Sequence, residues 1–270
     1  MQELLSAAKE AAVEAALAAG RLAKRYFGQE VEIRLKSADG DLVTTVDHMA
    51  EEEILARIKS RFPEHQIRSE ESGWSGVEGD WLWLIDPLDG TNNYAIGLPV
   101  YGVSLTLLYR KEPVLGVIYD SHLEQLYVAE KGAGACRDAL PIRVKDDASS
   151  GNGKLTIGWI QGHQVQRDAR ARALKSHLEQ QCKRVLRLWA PTIQWSMLSR
   201  GDLDGIVLYN SEGDDLYAGV LLAKEAGAAV VDFDGNPFDR MNPEPYLIAC
   251  PPGRVELFMR MVQEGLKLHV

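Results

Sequence analysis

The stretch that most constrains this chain is Trp81-Leu-Trp-Leu-Ile-Asp86-Pro-Leu-Asp89-Gly-Thr91-Asn-Asn-Tyr94. Trp81 to Ile85 is a short apolar and aromatic run, the composition of a buried strand. Pro87 biases Asp86 toward an extended conformation, so the strand is expected to end there and the chain to turn. Gly90 can adopt a backbone shape that other residues resist, and Thr91 can then open a helix. Asp86, Asp89 and the Leu88 carbonyl can converge as hard oxygen ligands, the donor type of Mg²⁺ rather than zinc. Free N–H groups around Gly90 and Thr91, beside a divalent cation, make a natural phosphate seat. An ordinary turn uses the same residue types, so the reading depends on carboxylates arriving from elsewhere.

Three other places supply them. Asp47 precedes a helical segment, Met49 to Arg61, with Ile54, Leu55 and Ile58 on its apolar face; in isolation Asp47 reads as an N-cap. The short strand 66–68 runs into Ser69-Glu70-Glu71-Ser72-Gly73, so a second strand delivers acids at its carboxyl end. Asp214-Asp215 follow a strand over 205–208 and open a helix over 215–226, where one of the pair can serve as a cap. Upstream, Lys36 to Asp41 is a polar, glycine-containing loop of the kind that moves.

The rest of the chain supplies a frame. Residues 3–27 read as an amphipathic helix that Gly28 can end, and Val31 to Leu35 as a half-buried strand. Strands over 100–108, 113–119 and 125–129 follow one another as an antiparallel series. The polar run Asp146 to Gly153 reads as a linker between an N-terminal α+β domain (1–148) and a C-terminal domain (149–270) in which strands and helices alternate as an α/β layer. A formal charge of −9 argues against a nucleic-acid surface. Three distant cysteines fit a reducing cytoplasm, and no window has the apolar length of a membrane span. The basic residues between Arg167 and Arg187 read as a solvated helix face, with a subunit contact or an anionic substrate tail as the lesser alternatives.

Taken together, Ser69-Glu70-Glu71, Asp86 through Tyr94, Asp214 through Gly219 running to Glu225-Ala-Gly-Ala228, and Lys36 through Asp47 resemble the markers of the inositol monophosphatase family, within the lithium-sensitive, magnesium-dependent phosphatases. The resemblance implies a layered α-β-α-β-α sandwich of the sugar-phosphatase type. It implies two or three Mg²⁺ ions held by Glu70, Asp86, Asp89, Asp215 and the Leu88 carbonyl. Asp47 and Thr91 would hold and polarise the attacking water, with Glu70 or Glu71 assisting, and the backbone of Gly90 and Thr91 would hold the phosphate. The loop bearing Lys36 would close over the site and help position a weaker metal. A homodimer and lithium inhibition follow from the same kinship.

The departures bear on specificity. Ser69 stands for the usual glycine, Asp214 for the usual tryptophan, and Leu208 for the acid of inositol-specific members. The small-residue substrate loop appears as Trp189-Ala-Pro191-Thr192, and Glu212 is a candidate substitute acid. The expected reaction is hydrolysis of inositol-1-phosphate or a related small polyol phosphate. The alternatives are fructose 1,6-bisphosphate, histidinol phosphate or 3′-phosphoadenosine 5′-phosphate as substrate, or a silent regulator that binds metal and phosphate.

Overall fold

A computed structural model describes residues 2–36, 40–145, 154–162, 165, 167–211 and 213–268. The first half comprises α1 (Gln2–Tyr26), β1 (Ile33–Leu35), β2 (Leu42–Thr44), α2 (Thr45–Arg61), β3 (Gln66–Ser69), β4 (Gly73–Ser75), β5 (Trp81–Asp89) and α3 (Thr91–Ala95). It continues with β6 (Gly102–Tyr109), β7 (Glu112–Asp120), β8 (Gln125–Glu130), β9 (Gly134–Arg137) and β10 (Leu140–Pro141). The second half comprises β11 (Thr156–Gln161), α4 (Ala169–Gln181), β12 (Arg184–Leu186), α5 (Pro191–Ser199), β13 (Gly205–Tyr209), α6 (Leu216–Glu225), β14 (Ala229–Asp232), β15 (Tyr246–Cys250) and α7 (Val255–Lys267).

Alternating side-chain directions sort these elements into five layers. One face of the eight-stranded sheet (order β10-β9-β8-β7-β6-β5-β3-β4) presents Trp83, Ile85, Leu105 and Val117 to α1 and α2. The α1 seam is almost entirely alanine, with Gly20 so close to β7 that a Cβ there would run into the Tyr119 ring. The other face offers Leu82, Leu84 and Leu108 to α5 and α6, which also cover Ile206, Leu208 and Leu247 of the five-stranded sheet. That second sheet (order β12-β11-β13-β15-β14) turns Trp159, Val207 and Ile248 toward α4 and α7. The result is the expected α-β-α-β-α sandwich.

Several local expectations need correction. β5 does not stop at Asp86. It continues to Asp89 through a bulge, because Pro87 has no N–H for the ladder and pairing resumes at Asp89 opposite Gly102. Asp47 is not the N-cap of α2. Thr44 is, and Asp47 closes a capping box by accepting from the Thr44 backbone N–H at 2.8 Å. β1 is exposed along its whole length rather than half-buried, since it pairs only with the short β2. The presumed linker 146–153 and Glu212 lie outside the described residues. No helix among the described residues is long and apolar enough to cross a membrane.

Asp204 fastens the second sheet to the helix behind it. Its Oδ1 accepts from Arg254 at 2.9 Å and Lys145 at 3.2 Å, and its Oδ2 accepts from the Thr156 N–H at 2.7 Å. Burial pushes this carboxyl up, but the Thr156 N–H and the two cations outweigh it and hold it below the usual range. A depressed carboxyl contributes stability above its unfolded pKa of about 4 and loses it as pH falls through the lower folded value. Asp204→Ala is therefore expected to destabilise the protein by roughly 3 kcal/mol at pH 7, because it removes the carboxylate from a buried ion pair. Denaturant titrations should show the gap between wild type and variant narrowing below about pH 4.

Candidate active site

β3 and β5 lie side by side in parallel, with Ser69 opposite Ile85. The next residues, Glu70 and Asp86, therefore stand side by side at the same end of the two strands, and the Glu70 N–H donates to the Ile85 carbonyl at 3.0 Å. Asp89 follows three residues later, past the bulge. Asp215 arrives from beyond β13 in the second sheet, at the N-cap position of α6, yet its side chain caps nothing there. Glu70, Asp86, Leu88, Asp89, Gly90, Thr91, Pro191 and Asp215 all line one cavity of about 500 Å³. Acids far apart in sequence thus meet between the two sheets.

The electrostatics record how crowded they are. Burial, then Glu70, Asp89 and Asp215, drive the Asp86 carboxyl well above its ordinary value. Burial and Asp215 do the same to Asp89, and burial and Glu70 push Asp215 up to about 7. Like charges in one low-dielectric cleft resist joint ionisation. Lys36 relieves part of the strain by donating to Glu70 at 2.9 Å and Glu71 at 2.8 Å. Burial pulls this amine down, and the two glutamates more than offset it, so its pKa ends raised. Glu71 is not among the residues lining the cavity, and its own carboxyl is raised by burial.

Behind the acids, one hydroxyl sits between α2 and the bulge. Thr91 Oγ1 lies 2.8 Å from Asp47 Oδ1 and 2.9 Å from the Leu88 carbonyl oxygen, either of which can accept its one proton. Burial pushes the Asp47 carboxyl up to about 6 against the hydrogen bonds from Thr44 and Thr91. Gly90 sits at φ +90, where a Cβ would lie 2.8 Å from the Val100 carbonyl oxygen, so only glycine fits this corner. With five residues α3 carries little dipole, so an anion seat here rests on the N–H groups themselves.

Other residues at the site take roles that the sequence did not predict, and Thr192, expected in the substrate loop, is a correction. Thr192 is fully buried and donates through both its N–H and its hydroxyl to Asp89 Oδ2, so it fixes an acid rather than lining the cavity. Glu51, on α2, accepts from the hydroxyl of Ser69 and from the N–H and hydroxyl of Ser72, holding the turn that carries Glu70 and Glu71. Arg68 lines the cavity and pairs with Asp214 at 2.5 Å. Arg187 and Trp189 line it too, whereas Leu208 is buried in the core between the sheets. Elsewhere in the basic segment, Arg167, Arg170, Arg172, Lys183 and Arg184 are exposed, as a solvated face requires.

A hard divalent cation fits this pocket by donor chemistry and by charge. Every donor is oxygen, and the raised carboxyls mark a shortage of positive charge. Among the described residues no three acid, histidine or cysteine side chains close on one point as a finished cage. Asp89 is tied to Thr192 and Glu70 to Lys36. Mg²⁺ keeps several waters and takes few protein ligands, so an open set of this kind suits it.

Comparison with known proteins sets this fold and pocket among the phosphoric monoester hydrolases. Residues 4–264 match the inositol monophosphatase family, and the chain belongs to it. An inositol-1-monophosphatase of Synechocystis is 35% identical over 237 residues, covering 85% of this chain and 80% of that protein. A fructose-1,6-bisphosphatase/inositol-1-monophosphatase of Aquifex aeolicus is 32% identical, covering 85% and 86%. The crystal structure of the extragenic suppressor protein suhB of Bartonella henselae superposes with a TM-score of 0.87 at 26% identity, covering 96% of this chain and 99% of that one. The family is metal-dependent in general, which agrees with the charge imbalance of the pocket.

Removing one crowded charge should relieve the metal-free fold. Asp86→Asn keeps an acceptor for the Leu88 N–H, which now reaches Asp86 Oδ1 at 3.1 Å. A carboxyl raised in the folded state destabilises that state once ionised, so metal-free Asp86→Asn is expected to melt higher than wild type, by about 2–4 °C per kcal/mol relieved. Calorimetry in chelator checks this, and a lower melting temperature would contradict the crowding.

Proposed function

We propose that this enzyme hydrolyses a small polyol or sugar phosphate monoester with Mg²⁺, two or three ions per site; kinship with the family alone puts inositol-1-phosphate first among the candidate substrates. The observation carrying this reading is the meeting of Glu70, Asp86, Asp89 and Asp215 in one cavity beside Gly90 and Thr91. The printed names of the Synechocystis and Aquifex relatives support the substrate class. Glu70, Asp86, Asp89, Asp215 and the Leu88 carbonyl would hold the metal. Bound there, Mg²⁺ would neutralise phosphate oxygens and acidify water.

The chain's own groups do the rest in this reading. The Gly90 and Thr91 N–H groups receive phosphate oxygens. Thr91 Oγ1 accepts a proton from the attacking water as its own proton passes to Asp47 Oδ1, which lies 2.8 Å away. A carboxyl near pH 6 is matched to general-base work at neutral pH. Lys36 holds Glu70 and Glu71 in place when the cation is absent. Fructose 1,6-bisphosphate, histidinol phosphate and 3′-phosphoadenosine 5′-phosphate remain the competing substrates. We also read residues 1–148 and 149–270 as two domains on the polar run between them, the location as cytoplasmic on the cysteine pattern, and the protein as a lithium-inhibited homodimer on kinship with the family.

Phosphate release across that panel, with and without Mg²⁺, tests the reading; turnover that ignores chelator would sink it. Mg²⁺ is also expected to stabilise the fold by about 2.7 kcal/mol at 100 times Kd, and Asp86→Asn should erase both effects. Asp47→Asn should lower kcat by roughly 10²–10⁴. Its cost in stability should be about 1 kcal/mol, that of a weakened cap. Full activity in that variant would remove Asp47 from the proton path.

A further inference from the structure

One side chain in the cavity has no part in the chemistry above. Arg187 follows β12 and lines the site, its Nε is buried, and among the described residues that Nε finds no acceptor. Burial also draws its guanidinium below the usual value. Arg68, the other guanidinium lining this cavity, is matched by Asp214. A desolvated cationic N–H with nothing to receive it is a cost that native folds seldom carry without a purpose.

Trp189 adds a second, independent anomaly at the same wall. It lies in the left-handed region at φ +52, where a bulky side chain is strained, and its ring is 48% exposed. The guanidinium carbon of Arg187 sits 5.3 Å from its ring centroid. Backbone contact places this pair against the proposed phosphate seat, since a Cβ on Gly90 would lie 3.0 Å from Ala190 Cβ and 3.4 Å from the Trp189 carbonyl oxygen. Strain, exposure and an unmet donor thus coincide beside the ester position.

We propose that Arg187 and Trp189 form a specificity subsite for phosphate esters whose alcohol part carries a second anionic group on or next to a ring. This rests on the phosphatase reading and reverses the order of substrates that kinship alone gives. A planar guanidinium presents parallel donors to two oxygens of a phosphate or carboxylate, and an exposed indole offers a flat face to a ring. A neutral polyol offers Arg187 hydroxyls but no charge, and leaves its desolvated cation uncompensated. Sugar bisphosphates and nucleoside bisphosphates share the required chemistry.

The test compares kcat and KM for inositol-1-phosphate, a hexose bisphosphate and a nucleoside bisphosphate in wild type, R187Q, R187K and W189G, with Mg²⁺ present. Wild type should favour one doubly anionic ester over inositol-1-phosphate by about tenfold or more in kcat/KM. R187Q should raise KM for that ester about tenfold with kcat little changed, and should shift inositol-1-phosphate by a smaller factor. R187K should recover part of the loss. W189G should weaken the nucleoside ester more if a base stacks on the indole, and both esters alike if a sugar does. In a melting experiment R187M should gain stability, because it removes an unmet buried donor; a purely structural arginine would lose it. Equal losses on all esters in R187Q, a wild-type preference for inositol-1-phosphate, or a destabilised R187M would overturn the subsite. Calorimetric titration with the hexose bisphosphate separates the two readings. Binding that depends on Arg187 without turnover of any ester would overturn the phosphatase reading and support the subsite, whereas neither binding nor turnover would overturn the subsite too.

Discussion

Four carboxylates crowded into one cavity are the constraint on which this structure turns. Asp86, Asp89 and Asp215 are each pushed up by burial and by their neighbours, and Glu70 contributes to the burden on all three. No fold gathers such a group for stability alone. The surroundings are accordingly arranged to hold three of the four in place: Thr192 by two donors on Asp89, the Leu88 N–H on Asp86, and Lys36 on Glu70. The ammonium of Lys36 supplies a positive charge where the donor chemistry calls for a divalent one.

The part of the site readable from sequence is the part that is local. Asp86, Leu88, Asp89, Gly90 and Thr91 fall within six residues, so turn chemistry alone brings them together. Glu70 was legible for a related reason, since acids at two strand ends converge once those strands run parallel. Asp47 was found but misplaced by the width of a capping box, because Thr44 competes for the cap and wins it. The bulge after Asp86 was missed because Pro87 interrupts the ladder without ending the strand.

What lay beyond sequence depends on how distant segments are brought together. Thr192 meets Asp89 across 103 positions, and Glu51 reaches Ser69 from the middle of a helix. Nothing in the local pattern of either residue signals its partner. Arg187 was legible only as one cation among seven, and the fold separates it from the rest by turning it into the cavity. The layered architecture followed from kinship and alternation, whereas the mixed strand directions of the second sheet did not.

β5 is buried almost end to end and serves two cores at once, with Trp83 and Ile85 on one side and Leu82 and Leu84 on the other. A strand clamped on both faces has little freedom to drift over evolutionary time, and it carries Asp86 and Asp89 with it. Arg187, Trp189 and Ser211 lie instead on connections of the second sheet. Descendants of such a scaffold can thus exchange what they recognise while inheriting an unchanged means of breaking the bond.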